Sequence, residues 1–199
     1  MIKNIIFDLS EVIINGLLGV EKSLCLKLNL PEKEIMTCLC KSGFEELLLG
    51  NLEEELYLRD VVSSNGWDIT IDELKKAIRD NFHTEIEGVI PVIQNLKKNY
   101  KLYLLSDHSL EWVEYIKTVH PFLKVFEKVL FSYELKMTKR NPAVFPELLR
   151  RLNLNAGECL FIDDHQRNVD NARLAGIDGI RFLNVNQLKD EFDKRGVVC

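Results

Sequence analysis

Cys159-Leu160-Phe161-Ile162-Asp163-Asp164 is an unbroken apolar run that stops on two carboxylates, and Ile5-Ile6-Phe7-Asp8 does the same near the start of the chain. A strand buried on both faces of a sheet has this composition, rather than the alternation of a half-exposed strand. In an open parallel sheet the functional groups collect just past the carboxyl ends of such strands. Two buried strands of this kind deliver Asp8 and the Asp163-Asp164 pair to one sheet edge, where carboxylates suit Mg2+ and an aspartate can serve as nucleophile. Any one of these acids alone could equally be a turn residue or a helix cap.

Two further segments favour the shared-edge reading. Lys101-Leu102-Tyr103-Leu104-Leu105 is another short apolar strand, and it opens into Ser106-Asp107-His108-Ser109 before a helical pattern. A hydroxyl and backbone N–H groups at a strand-to-helix turn form a phosphate cradle. Lys139 lies in the loop Lys136-Met137-Thr138-Lys139-Arg140-Asn141-Pro142, ahead of a helix with apolar positions Val144, Phe145, Leu148, Leu149 and Leu152. That order predicts a cation near the same edge.

The remaining pattern predicts a doubly wound parallel α/β sheet, interrupted once. After the first strand and a turn at Asn15-Gly16, residues 17–83 contain helical patterns and no convincing strand, for example Leu52 with Leu56, and Leu74, Ile78 and Phe82 at i, i+4, i+8. From Glu87-Gly88 onward, helices alternate with short strands at Leu102–Leu105, Val129–Phe131, Leu160–Ile162 and Gly179–Phe182. The expected division is therefore a core of residues 1–16 and 84–199 with a helical insertion at 17–83.

In this order, Ile5-Ile6-Phe7-Asp8-Leu9-Ser10-Glu11-Val12-Ile13, Leu104-Leu105-Ser106-Asp107, Lys139 with Asn141-Pro142, and Phe161-Ile162-Asp163-Asp164 with Asn168, Ala172 and Gly176-Ile177 resemble the haloacid dehalogenase (HAD) superfamily. The resemblance implies a Rossmann-like core, with residues 17–83 as an α-helical cap that chooses the substrate. It implies Asp8 as nucleophile and metal ligand, the Ser10 carbonyl as a second ligand, and Asp164 as the direct ligand of the acid pair. Asp163 is then water-bridged to the metal or orients Lys139, while Ser106 and the N–H of Asp107 hold a phosphoryl group. The implied activity is that of a Mg2+-dependent phosphatase acting on a small phosphorylated metabolite, such as a sugar phosphate, through an aspartyl-phosphate. A metal-independent 2-haloacid dehalogenase and a non-catalytic binding protein are the alternatives. Asp163-Asp164 argues against the dehalogenase, since an uncompensated acid pair repels a carboxylate substrate.

Two positions depart from the superfamily pattern. Most of its phosphatases carry an Asp two residues after the nucleophile, which protonates the leaving alcohol; this chain has Ser10, as a subgroup with Gly there also lacks the acid. General acid help is worth about 10²–10⁴-fold. Glu11 is a candidate substitute, though a solvated surface position is the expectation for it. Arg140 stands where Pro is usual after the lysine and is expected to loosen that loop.

Composition narrows the classes further. A chain of 199 residues can bury a sizeable core, and a net charge of −5 without a basic cluster argues against nucleic acid as partner. No stretch approaches the roughly 20 apolar residues that span a bilayer, and the start does not read as a signal peptide. Five cysteines without paired spacing fit free packing thiols in a reducing cytoplasm. His108 and His165 each follow a motif acid and are expected in surface loops at a pocket rim; His83 and His120 carry no signal. Nothing in the sequence bears on oligomeric state.

Overall fold

The computed structural model describes residues 1–41 and 43–199. Its centre is a five-stranded sheet of β1 (Asn4–Phe7), β2 (Lys101–Ser106), β3 (Lys128–Phe131), β4 (Cys159–Asp163) and β5 (Asp178–Arg181). All strands are parallel, in the order β3-β2-β1-β4-β5. Successive strands extend the sheet to one side of β1 and then to the other, so the strand order reverses beside β1. A crevice opens at such a reversal, outside the carboxyl ends of the strands. Phe7 pairs with both Leu104 and Ile162, which sets Asp8, Ser106 and Asp163 at nearly one level.

The pleat explains why the strand sequences read as continuous apolar runs. Ile5, Phe7, Leu102, Leu104, Leu160 and Ile162 point to one face, and Ile6, Tyr103, Leu105, Cys159 and Phe161 to the other. The second face packs on α9 (Val144–Leu152) through Val144, Phe145 and Leu148, and on Ala172 of α10 (Gln166–Leu174). The first face packs on α6 (Val89–Leu96), α7 (Leu110–Val119) and α11 (Val185–Lys194). A four-residue helix, α8 (Ser132–Leu135), follows β3.

Between β1 and α6 lie α1 (Val20–Leu28), α2 (Glu32–Leu39), α3 (Phe44–Leu48), α4 (Glu54–Ser64) and α5 (Ile71–Phe82). A capping box of Thr70 with Glu73 starts α5, and Leu74, Ile78 and Phe82 form its buried stripe. The two ends of this helical stretch are joined. Asn15 N–H donates to the Thr84 carbonyl (2.8 Å) and Ile86 N–H to that of Ile13 (2.8 Å). Ser132 Oγ donates to the Leu48 carbonyl (2.6 Å), and Lys136 Nζ donates to those of Leu49 and Gly50 (2.8 and 2.9 Å). On the other side the buried Glu54 accepts from Arg79 Nη2 and from Trp112 Nε1 of α7, both at 2.7 Å.

Four local expectations change. Asn15-Gly16 is no turn, because Asn15 belongs to the paired neck; the turn is at Ser10–Ile14, where Glu11 has φ 60°. Leu52 precedes α4 and Leu56 is half exposed, since α4 buries Tyr57, Leu58 and Val61 instead. α8 was not expected, being one turn long. Nor was α11, although Asn184 caps it on Gln187 N–H (2.9 Å) and Leu188 and Phe192 are spaced i, i+4.

Removing Glu54 strands the Arg79 guanidinium in the interior, which is costly because a buried charge loses its partner. Glu54→Ala should lower the unfolding free energy by about 3–5 kcal/mol in urea titrations. A loss below about 1 kcal/mol would show that the pair contributes nothing.

Candidate active site

Asp8 follows β1 and its backbone N–H donates to Ile162 (2.9 Å), which places its carboxylate over the carboxyl edge of the sheet. Oδ1 accepts from the Leu9 N–H (2.7 Å) and from Ser106 Oγ (2.8 Å), and Oδ2 lies 2.5 Å from Lys139 Nζ. The same ammonium lies 2.7 Å from Asp163 Oδ2. Asp163 is held in turn by the His165 N–H (2.8 Å) and by Asn168 Nδ2 (3.0 and 3.1 Å). Asp8, Asp163 and Lys139 are all buried.

The Lys139 loop is fixed from both sides. Asp107 accepts the Lys139 N–H with both carboxylate oxygens (3.1 Å), and Asn171 Nδ2 donates to the carbonyls of Lys139 and Arg140 (3.0 and 3.2 Å). Arg140 therefore leaves the backbone pinned, contrary to the expected loosening. The Asp107 side chain faces the lysine loop. Asn171 carried no sequence signal, because its partner is a backbone carbonyl 31 or 32 residues away in the chain.

The site holds more negative than positive charge. Burial raises the pKa of Asp8, Asp107 and Asp163, and Lys139 only partly counters it; Asp164 is raised by its burial as well. Burial alone would depress Lys139, but Asp163, Asp8 and Asp107 together hold it well above the usual lysine value. One carboxylate oxygen from each of Asp8, Asp163 and Asp164 falls within 4.8 Å of the others. Three carboxylates converging on one another, two of them shared with the Lys139 ammonium, fit a divalent cation, which takes oxygen ligands and would offset the remaining charge.

Glu11 and His108 depart from expectation. Glu11 is half-buried rather than solvated, and Oε1 accepts the N–H groups of Gly16 (2.8 Å) and Leu18 (3.3 Å), so its carboxylate ties the loop. Its pKa is raised, first by desolvation. His108 is buried under Phe82, Trp112 and Phe131, with Nε2 2.8 Å from Ser10 Oγ. His165 is exposed as expected and stands 3.6 Å from Asp164. His83 meets the Tyr115 hydroxyl, and buried His120 meets the Phe82 carbonyl (2.7 Å). Cys38 and Cys159 are packed, whereas Cys40 and Cys199 are exposed, and Cys40 lines the pocket.

A pocket of about 490 Å³ opens above these groups. Asp8, Ser106, Lys139 and Asp164 form its floor, while Leu17, Leu18, Met36, Phe44 and Leu48 face them from the helical stretch.

Residues 5–182 match the model of the haloacid dehalogenase-like hydrolase family. The chain belongs to that family. It is 28% identical over 177 residues to a D-ribitol-5-phosphate phosphatase from Bacteroides thetaiotaomicron, covering 85% of this chain and 86% of the relative. It is 22% identical over 169 residues to flavin mononucleotide hydrolase 1 of Arabidopsis thaliana, covering 84% and 68%. Among solved structures, a HAD family enzyme from Bacteroides thetaiotaomicron in complex with magnesium and inorganic phosphate superposes with a TM-score of 0.78 at 22% identity, over 92% of this chain and 96% of that one. A dehalogenase crystallised with an intermediate superposes with a TM-score of 0.72 at 13% identity, over 92% and 85%. Both superpositions confirm the HAD-like α/β fold. Among the described residues, no helix is long and apolar enough to cross a membrane.

The His108 environment has a consequence for stability. Burial, then Lys139 and Arg79, lower its pKa to about 3, against about 6.5 in an unfolded chain. The unfolded state then binds the extra proton between these values, so this contribution is complete above about pH 6.5 and is lost as pH falls. From pH 7 to 5, His108→Gln should lose about 2 kcal/mol less stability than the parent in urea titrations. Equal losses would show that His108 is not held neutral.

Proposed function

We propose that this HAD-like hydrolase is a Mg2+-dependent phosphatase that forms an aspartyl-phosphate on Asp8. The observation that carries the reading is the Asp8-Lys139-Asp163 cluster at the sheet edge, with Asp164 beside it and Ser106 bonded to the nucleophile. The Leu9 N–H and Ser106 hydroxyl fix one Asp8 oxygen and Lys139 the other, so the carboxylate is aimed before a substrate arrives. An Asp8 oxygen attacks phosphorus in line, the bond to the alcohol breaks, and its electron pair leaves with the alcohol oxygen. Water then cleaves the acyl-phosphate. Lys139, the Asp107 N–H and the Ser106 hydroxyl, turned from Asp8 to the bound substrate, oppose the negative charge on the phosphoryl oxygens. Asp8 and Asp164, with the Ser10 carbonyl, would hold Mg2+, whose chemistry is to neutralise those oxygens; Asp163 orients Lys139.

Residues 17–83 act in this reading as a cap. Its pocket face is mixed, with Leu17, Leu18, Met36, Phe44 and Leu48 beside Cys40 and Glu45. The relatives named for D-ribitol 5-phosphate and for flavin mononucleotide support a small phosphorylated metabolite, such as a sugar phosphate, as the substrate.

Asp8→Asn should keep the fold and lower phosphate release by at least about a thousandfold, because it keeps the shape and removes the nucleophilic charge. Turnover near that of the parent would remove Asp8 from the role. Across a series of phosphate esters, kcat/KM of the parent should rise steeply as the leaving-group pKa falls, since Ser10 cannot protonate an alkoxide. Ser10→Asp should flatten the series by up to about 10²–10⁴-fold. A flat parental series that steepens only in Glu11→Gln would make Glu11 the acid.

A further inference from the structure

Ser10 Oγ and His108 Nε2 stand 2.8 Å apart, and either could be the donor. The other ring nitrogen decides between them. His108 Nδ1 is buried and makes no hydrogen bond within the described residues. A buried N–H without an acceptor is rarer than an unused lone pair, so Nδ1 is the bare nitrogen and Nε2 carries the hydrogen. Burial, with the positive charges of Lys139 and Arg79, keeps the ring neutral, so only one of its nitrogens carries a hydrogen. Arg79 is itself fixed by Glu54, which also holds Trp112 against the His108 ring. Nε2–H therefore donates to Ser10 Oγ, and the hydroxyl hydrogen of Ser10 is left to point elsewhere. The space behind Ser10 is closed: a Cβ added to Gly16 would come within 2.7 Å of Ser10 Cβ and Oγ. The open side is the pocket, which Ser10 lines together with Asp8.

We propose that His108 is a positioning residue that turns the Ser10 hydroxyl into the pocket, where it donates a hydrogen bond to the oxygen leaving phosphorus. The proposal rests on the phosphatase reading of Asp8. No proton is transferred within this pair. The P–O bond breaks, its electron pair stays on the departing oxygen under the Ser10 hydrogen bond, and solvent protonates the alcohol. A hydrogen bond to a developing charge is worth roughly ten- to a hundredfold in rate, less than full protonation. Alkyl esters, whose leaving oxygen gathers the most charge, depend on it most.

The test compares kcat/KM for an alkyl and an aryl phosphate, with Mg2+ present, in the parent, Ser10→Ala, His108→Leu, the double variant and His108→Gln. Ser10→Ala and His108→Leu should each lower the alkyl-to-aryl ratio by about tenfold or more, and the double variant should fall no further, because both act on one hydrogen bond. His108→Gln, which carries an N–H the same number of bonds from Cα, should return the ratio to within about threefold of the parent. A parental ratio in Ser10→Ala overturns the proposal, as does a His108→Gln ratio as low as that of His108→Leu. If His108→Leu does not fold, Ser10→Ala and His108→Gln decide alone. Asp8-dependent hydrolysis with the ratio unchanged in these variants rejects this proposal and leaves the phosphatase reading standing. A parent inert toward both esters rejects the phosphatase reading, and this proposal with it.

Discussion

Lys139 is buried between Asp8 and Asp163, and an ammonium so placed is tolerable only because acids surround it. Its neighbours follow from that requirement. Asp107 and Asn171 pin its backbone, Asn168 and the His165 N–H hold the far side of Asp163, and Ser106 steadies Asp8. One residue thus ties the ends of β1, β2 and β4 to the start of α10. The pairing is lopsided, because Asp8, Asp107, Asp163 and Asp164 confront a single ammonium. Burial raises the pKa of all four acids and Lys139 only partly counters it; in the proposed reading a Mg2+ ion would supply the further positive charge.

The helical stretch from α1 to α5 is held to the core on both flanks and at its neck. Ser132 and Lys136 hold the carbonyls at the end of α3, Glu54 joins Arg79 to Trp112, and Asn15 pairs with Thr84. The Glu54 contact reaches the pocket, because Trp112 packs against the His108 ring that meets Ser10. The fit of the helices on the core and the direction of one hydroxyl beside the nucleophile are parts of one network.

The sheet and its acids were legible because buried parallel strands have a composition of their own and the acids stand directly at their ends. Asp8, Ser106, Lys139 and Asp163 could be named from order along the chain. His108 could not be placed, since its burial comes from Phe82 and Trp112, which the chain brings together only after the helices pack. Glu11 was equally hidden: its φ of 60° turns the side chain back to bond Gly16 and Leu18, a local conformation without a residue pattern. The network of Glu54, Arg79 and Trp112 joins three segments whose spacing carries no periodic signal, and α11 was missed although its cap and apolar spacing were present.

The central claim is that the acid cluster around Lys139 is completed by a divalent cation. Calorimetric titration of the parent with Mg2+ at neutral pH, beside Asp164→Ala, tests it most directly. The account predicts one Mg2+ per chain in the parent and affinity weakened at least about tenfold in Asp164→Ala, whose remaining acids are shared with Lys139. No binding by the parent, or equal binding by both proteins, would contradict it.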